Sequence, residues 1–305
     1  MIPFEYRTPK SLKEVHRELK EFGADAKLIA GGTALVIMMK QRLVRPSSLI
    51  SLRMVRGLNG IAEKDGALRI GGLATHREVE TSTLVRRRVP LLAETYRHVA
   101  TIRVRNMATV GGGLAHADPN QDPPPTLMVL GATLKASSAG GSRVIALEEF
   151  FTDYYETVLK PDEIITEVSV PRLPANSGGA FVKFLPRTAD DYATVSAAAV
   201  VILDRARKIF TDVRIALGSV GTTVLRAREA EAVLRGQPVK REALREAAEK
   251  VRQAVDPVSD FRGSAAYKKE MAVVFVRRAL EMALDNLPKK SKARRSPKAS
   301  RRRNK

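Results

Sequence analysis

The first clear pattern along the chain is helical. Leu12, Val15, Leu19 and Phe22 share one face, Ser11 and Glu14 have capping-box spacing at its start, and Gly23 follows as a stop. Short apolar runs then alternate with breaks. Residues 27–30 read as a strand running into Gly31 and Gly32, 33–43 as an apolar helical stretch, and 49–52 and 68–72 as further strands. Thr75 and Glu78 repeat the capping-box interval at the next helix, and 90–98 predicts a helix opened by Pro90. Residues 133–137 and 143–146 flank Gly140 and Gly141 as a hairpin, and 164–170 is a strand closed by Pro171.

Two stretches break the pattern. Residues 103–122 are rich in Gly, Asn, Asp and Pro and show no clean period. A long irregular segment in a compact domain marks function or disorder, and the spacers Ile102, Val104, Met107, Val110 and Leu114 argue for order. Pro171, Pro174, Gly178 and Gly179 form the second break, which predicts a domain boundary. Beyond it, 180–185, 193–203 and 213–218 predict a three-stranded antiparallel sheet, with helices over 226–234, 241–255 and 264–287. Strands and helices mix without a regular βαβ alternation, so the fold class is α+β. The expected units are 1–173, 174–287 and a tail over 288–305.

Composition narrows the chemistry. A chain of 305 residues suits two domains at roughly 150 residues each. Aromatics are 5% with no Trp, so a cofactor pocket here would be lined by aliphatic side chains and backbone. Cysteine is absent, which excludes disulfides, thiol catalysis and a cysteine-held iron–sulfur cluster in this chain. That fits a reducing compartment, and a cytoplasmic location is expected. The N-terminus has no signal-peptide pattern, and no apolar run is long enough for a membrane span. The net charge of +20 suggests nucleic acid, but ten Lys or Arg and no acid lie in 288–305. Taking those ten from the 53 basic residues leaves 43 against 33 acidic. The tail reads as solvated and disordered, and the basic body suits an acidic partner or an anionic cofactor. The four histidines show no metal-ligand spacing; His116 is either structural or a cofactor neighbour. Asp190 and Asp191 read as a turn rather than an acid–base pair.

Two glycine-rich segments carry the candidate chemistry. In Leu28, Ile29, Ala30, Gly31, Gly32, Thr33, Ala34 and Leu35, a strand meets two glycines, a Thr and an apolar helical stretch. Bare backbone there can approach a phosphate and point successive N–H groups at it, although Gly-Gly is also an ordinary turn. The spacing is neither G-x-G-x-x-G nor a P-loop, which disfavours a standard dinucleotide fold or kinase. The second segment, Thr109, Val110, Gly111, Gly112 and Gly113, continues through Ala117-Asp118-Pro119 to Asp122. It offers another bare platform, a hydroxyl at Thr109 and an acceptor for ribose hydroxyls at Asp122; alone, it is equally a glycine-rich surface loop. Two platforms and a downstream acid are what a pyrophosphate-bridged dinucleotide requires.

At this point the sequence resembles the flavin subunits of the xanthine dehydrogenase and aerobic carbon monoxide dehydrogenase family, the molybdenum hydroxylases. Those subunits carry A-G-G-[TQH]-x-L and, about eighty residues on, [TS]-[IV]-G-G-[ND] leading to xDPxxD; AGGTAL and TVGGG…ADPNQD stand here in that order. The likeness runs on through Ile164–Pro171, through FVKFLPR from Phe181, and through DYATV from Asp191 and ALGSV from Ala216. It leaves out only the tail.

The resemblance implies a PCMH-type FAD-binding domain of two subdomains followed by the family's C-terminal domain. It implies FAD held by residues 28–35 and 109–113, hydroxyls of the ribose or ribityl on Asp122, and Val99 and Ala100 packed near the cofactor. Ile165 would lie against the isoalloxazine, with Lys183 near that ring, where a cation stabilises reduced flavin. The implied partners are a small [2Fe–2S] subunit and a large molybdopterin subunit, in a dimer of heterotrimers. Electrons would leave to NAD, a quinone or another carrier. No catalytic residue and no metal ligand is expected in this chain. Ala34 and Gly113 depart from the family by removing a polar side chain each. The alternatives are a stand-alone FAD-dependent oxidase and a basic nucleic-acid-binding protein; the second leaves both glycine segments unexplained.

Overall fold

The structure, a computed structural model, describes residues 2–185, 188 and 191–289. It begins with a small parallel sheet in the order Glu5–Arg7, Ser48–Ser51, Ala26–Ile29. Helix Leu12–Phe22 links the two outer strands and buries Val15 and Leu19 on Ile50, Leu52 and Leu58. Ser11 caps it by accepting from the Glu14 amide, whereas the Glu14 carboxylate takes the Lys10 amide, so the expected box is only half closed. The box at Thr75 is complete and starts helix His76–Thr81. The strand Glu5–Arg7 escapes periodicity because three residues hold no period.

Five antiparallel strands make the second sheet, in the order Ile61–Lys64, Ala67–Gly71, Ile164–Pro171, Thr133–Ser138, Gly141–Ala146. One face buries Leu68, Ile70, Leu134, Ala136, Val168 and Val170 against the short helices between residues 76 and 129. A register shift between Ile165 and Glu167 bulges Thr166 out of the ladder with Thr133–Ser138, and its carbonyl accepts the Gly72 amide.

The irregular reading of 103–122 is corrected, for it contains helices Ile102–Met107 and Val110–His116. Three glycines penalise the second helix by about 1 kcal/mol each. It forms because Thr109 caps it, Val110 and Leu114 are buried, and Gly111 lies on the Gly72 backbone, where a Cβ would stand 2.8 Å from the Gly72 carbonyl oxygen.

Ser177–Phe184, Val195–Leu203 and Phe210–Gly218 form the expected antiparallel sheet, extended by the two-residue strand Leu225–Arg226. Every residue of Val195–Leu203 is buried, because both faces are covered. Ala198, Val200 and Ile202 join the main core beside Leu92 and Leu127, while Ala197, Ala199, Val201 and Leu203 pack with helices Arg228–Leu234, Arg241–Ala254 and Ala265–Asp285. Gly178 and Gly179, expected in a linker, lie inside the first of these strands. A Cβ on Gly178 would stand 2.0 Å from the Ala283 carbonyl oxygen, so glycine there lets the last helix cross the strand. Among the described residues no helix is long and apolar enough to cross a membrane.

Candidate functional site

Residues far apart in sequence meet at the glycines. Gly31 follows the strand Ala26–Ile29 and faces the end of helix Ile102–Met107; an added Cβ would stand 1.9 Å from the Met107 carbonyl oxygen and 3.0 Å from Ala108 Cα. Gly112 completes the approach, since a Cβ there would stand 3.6 Å from the Ala30 methyl. The two glycine segments therefore lie side by side, and at Gly31 glycine is what permits it, whereas a side chain at Gly112 would crowd its own cap, Thr109 Oγ1, at 2.7 Å. Gly32 adopts a left-handed conformation with φ +70°, which turns the chain from strand into helix Leu35–Lys40.

The two segments differ in what they offer. Among the described residues, the amides of Gly31, Gly32, Thr33 and Ala34 meet no main-chain acceptor. They are available to an anion. The second segment already uses its amides: Val110 donates to the Ala74 carbonyl, Gly111 to the Gly72 carbonyl, Gly112 to Thr109 Oγ1 and Gly113 to the Thr109 carbonyl. The expected second set of donors is thus revised to a bare wall. Thr109 is buried, and its hydroxyl oxygen serves as a helix cap. Behind the wall, His76 is buried against Tyr96, and burial lowers its pKa to about 4, which keeps it neutral. Gly113 is bounded by Gln121 and His76: a Cβ would meet Gln121 Oε1 at 3.1 Å and His76 Nε2 at 3.4 Å, and Gln121 Nε2 donates to the Gly113 carbonyl. Gln121 thus supplies a polar group beside the side chain missing from Gly113.

Asp122 and Lys183 meet from elements 61 residues apart in sequence. Lys183 Nζ donates to Asp122 Oδ2 at 2.8 Å and to the His98 carbonyl at 3.0 Å, with 2% and 5% of the Lys and Asp side chains exposed. Burial pushes the Asp122 carboxyl up to about 6, against the opposing pull of Lys183. Asp122 Oδ1 is buried without a partner among the described residues, an acceptor left for a ligand hydroxyl. Lys183 is already neutralised by Asp122, so as a free cation beside a ring it counts for less than expected. Val99 and Ala100 follow His98, and Arg105 Nη1 holds their carbonyls at 2.8 and 2.7 Å. Ile165 differs from expectation. Its side chain is packed into the main core, and its carbonyl lies over Gly72, so it presents main chain to its surroundings.

Several residues here were missed by sequence reasoning. Asp118, inside the ADPNQD stretch, is buried and accepts from the Asn120 amide and Asn120 Nδ2 at Oδ1, and its carboxylate, after burial, raises the pKa values of Tyr155 and Tyr192. Asp118 offered no signal beyond the DP pair. Asp191 binds the Tyr192 amide and faces Arg262; Asp190, Pro186, Arg187 and 290–305 lie outside the described residues. His116 packs on Tyr155, a structural contact. A cleft of about 870 Å³ between helix Leu12–Phe22 and the hairpin at Ser137 to Ser142 shares no residue with the glycine segments and adjoins Ile165 only through Thr166.

The site fits a diphosphate-bridged dinucleotide: a close-approach glycine, four unengaged amides, a bare wall and an orphaned buried carboxylate oxygen. Comparison with known proteins agrees. Residues 2–173 match the FAD binding domain in molybdopterin dehydrogenase, and residues 180–283 match the CO dehydrogenase flavoprotein C-terminal domain. The chain is 36% identical to the carbon monoxide dehydrogenase medium chain of Hydrogenophaga pseudoflava over 285 residues, covering 93% of this chain and 98% of that one. It is 37% identical over 281 residues to the alpha subunit of the 6-hydroxypseudooxynicotine dehydrogenase complex of Paenarthrobacter nicotinovorans, covering 92% and 94%. The solved structure of H. pseudoflava carbon monoxide dehydrogenase, lacking the Mo-pyranopterin moiety of its cofactor, superposes with a TM-score of 0.91 at 38% identity, over 94% of this chain and all of that one.

Proposed function

This chain belongs to the FAD-binding flavoprotein family of the molybdenum hydroxylases, and we propose that it serves as their electron-transfer subunit. It is an FAD-binding oxidoreductase subunit. The proposed role is to receive electrons from the [2Fe–2S] clusters of a small partner chain, after a large molybdopterin chain has oxidised the substrate. The chain then delivers them to NAD, a quinone or another carrier. Dimers of such heterotrimers in the cytoplasm are the proposed assembly.

The apposition of Gly31 with Met107 and of Gly112 with Ala30 carries this reading. Bound there, FAD supplies storage of two electrons and exchange of one at a time. The amides from Gly31 to Ala34 would face the pyrophosphate, and the wall from Thr109 to Gly113 would close its other side. Asp122 Oδ1 would accept from a ribose or ribityl hydroxyl. Val99, Ala100 and Lys183 would line the ring end. The absence of cysteine means that the clusters belong to another chain. The C-terminal sheet packs one face on the main core and the other on three helices.

Affinity purification of the full chain, expressed with its neighbouring genes, tests the reading. A flavin visible spectrum and copurifying iron–sulfur and molybdopterin chains are expected. Purified chain that holds no flavin even after incubation with FAD would sink it.

A further inference from the structure

Three consecutive carbonyls are gripped by two largely enclosed cations. Lys183 takes the oxygen of His98, and Arg105 takes those of Val99 and Ala100. Ala100 sits at φ +39°, a left-handed conformation that costs an L-residue about 1–2 kcal/mol and persists only where its surroundings impose it. Arg105 itself is held from behind. Its Nε donates to Glu80 Oε2 at 2.9 Å, and only 12% and 7% of the two side chains are exposed. Glu80 is fixed in turn by Arg77 Nη1 at 2.7 Å, and its own carbonyl accepts from Arg86 Nε at 3.0 Å.

Each cation is paired with an acid, Lys183 with Asp122 and Arg105 with Glu80. Their shared effect on this turn is therefore directional hydrogen bonding more than net charge. Arg105 also lies on the helix whose last residue, Met107, abuts Gly31. One short helix thus touches both the glycine segment and the turn at Val99.

We propose that Arg105, braced by Glu80, is a positioning residue for the flavin: it fixes the Val99–Ala100 turn and ties it to the Gly31 segment. The inference rests on the reading that Val99 and Ala100 line the cofactor. With the guanidinium removed, Ala100 relaxes from its left-handed conformation and the ring loses a fixed wall.

The test uses the full chain, stripped of flavin and reloaded with FAD, with affinity and visible spectrum as readouts. Arg105→Gln combined with Glu80→Gln leaves no buried carboxylate stranded. We expect it to weaken FAD binding about tenfold and to shift the flavin bands, the effect of losing one or two charge-assisted hydrogen bonds. Arg105→Lys keeps the charge but not the planar group whose Nε bonds Glu80 while Nη1 bonds both carbonyls, and should fall between the double variant and the parent. A third variant, Val99→Trp, probes the underlying reading by quenching flavin fluorescence through ring contact. If Val99→Trp quenches while the double variant matches the parent in affinity and spectrum, the role of Arg105 is overturned and the site stands. If Val99→Trp has no effect, the turn is not at the flavin and the inference falls with that premise. Should the double variant fail to fold, Arg105→Lys decides alone, and unchanged affinity and spectrum overturn the inference.

Discussion

Lys183, on strand Ser177–Phe184, reaches Asp122 at 2.8 Å, and both side chains are almost wholly buried. Removing one partner of such a pair strands the other charge in a dry site. Lys183→Met should therefore destabilise the chain by about 3–5 kcal/mol near neutral pH. Chemical denaturation of the flavin-free chain reads this directly; a loss within about 0.5 kcal/mol would mean that solvent reaches the carboxylate.

The same pair predicts a pH dependence. Burial raises the folded Asp122 pKa to about 6, above the unfolded value of about 3.9. Between those values the folded chain binds more protons than the unfolded one. The contribution of this group to stability is therefore full below about pH 4 and is lost as pH rises to about 6, after which it is flat. Asp122→Asn should remove that slope. Denaturation midpoints of parent and variant, measured from about pH 4 to about pH 7, check the sign; parallel curves would dismiss it.

Gly31→Ala and Gly32→Val should both release FAD, for different reasons. At Gly31 the added methyl meets a backbone oxygen at 1.9 Å, so the two glycine segments must part. At Gly32 the space is less tight, but φ of +70° penalises an L-residue by about 1–2 kcal/mol, and more if it is β-branched. Flavin-to-protein ratio after purification is the measurement. Full occupancy in both variants would remove the pyrophosphate from this place.

Gly178→Ala is the contrasting case. Its methyl would collide with the Ala283 carbonyl at 2.0 Å, where helix Ala265–Asp285 crosses strand Ser177–Phe184. A loss of about 1–3 kcal/mol is expected, with the flavin ratio retained at temperatures where the chain is folded. Flavin loss without loss of stability would contradict the separation of the two regions.

Truncation after Leu287 should leave flavin content and melting temperature unchanged. Those residues carry ten positive charges and almost no apolar side chains, so they add little to a core. A flavin-free truncated chain would show that the tail belongs to the site.

The chain's local signals were strong wherever one residue type has one physical use. The Thr75 capping box, the Gly140 and Gly141 hairpin and the strand expected over 193–203, observed as Val195–Leu203, all became the elements their patterns predict. The two glycine segments were visible as a pair, because bare backbone at that spacing has few other uses. What they do not contain is each other's position. Met107 over Gly31 and Gly72 under Gly111 are contacts between separate elements, and no local preference encodes them. For the same reason Gly178 and Gly179 read as a linker: a glycine required by a crossing helix looks identical in sequence to one required by a turn. The charged partners are the clearest case. Asp122 and Lys183 are 61 residues apart and Glu80 and Arg105 are 25, and only the fold decides that these ionisable groups leave water together. Sequence established which residues were available; burial, a property of the assembled core, chose which of them would be paired.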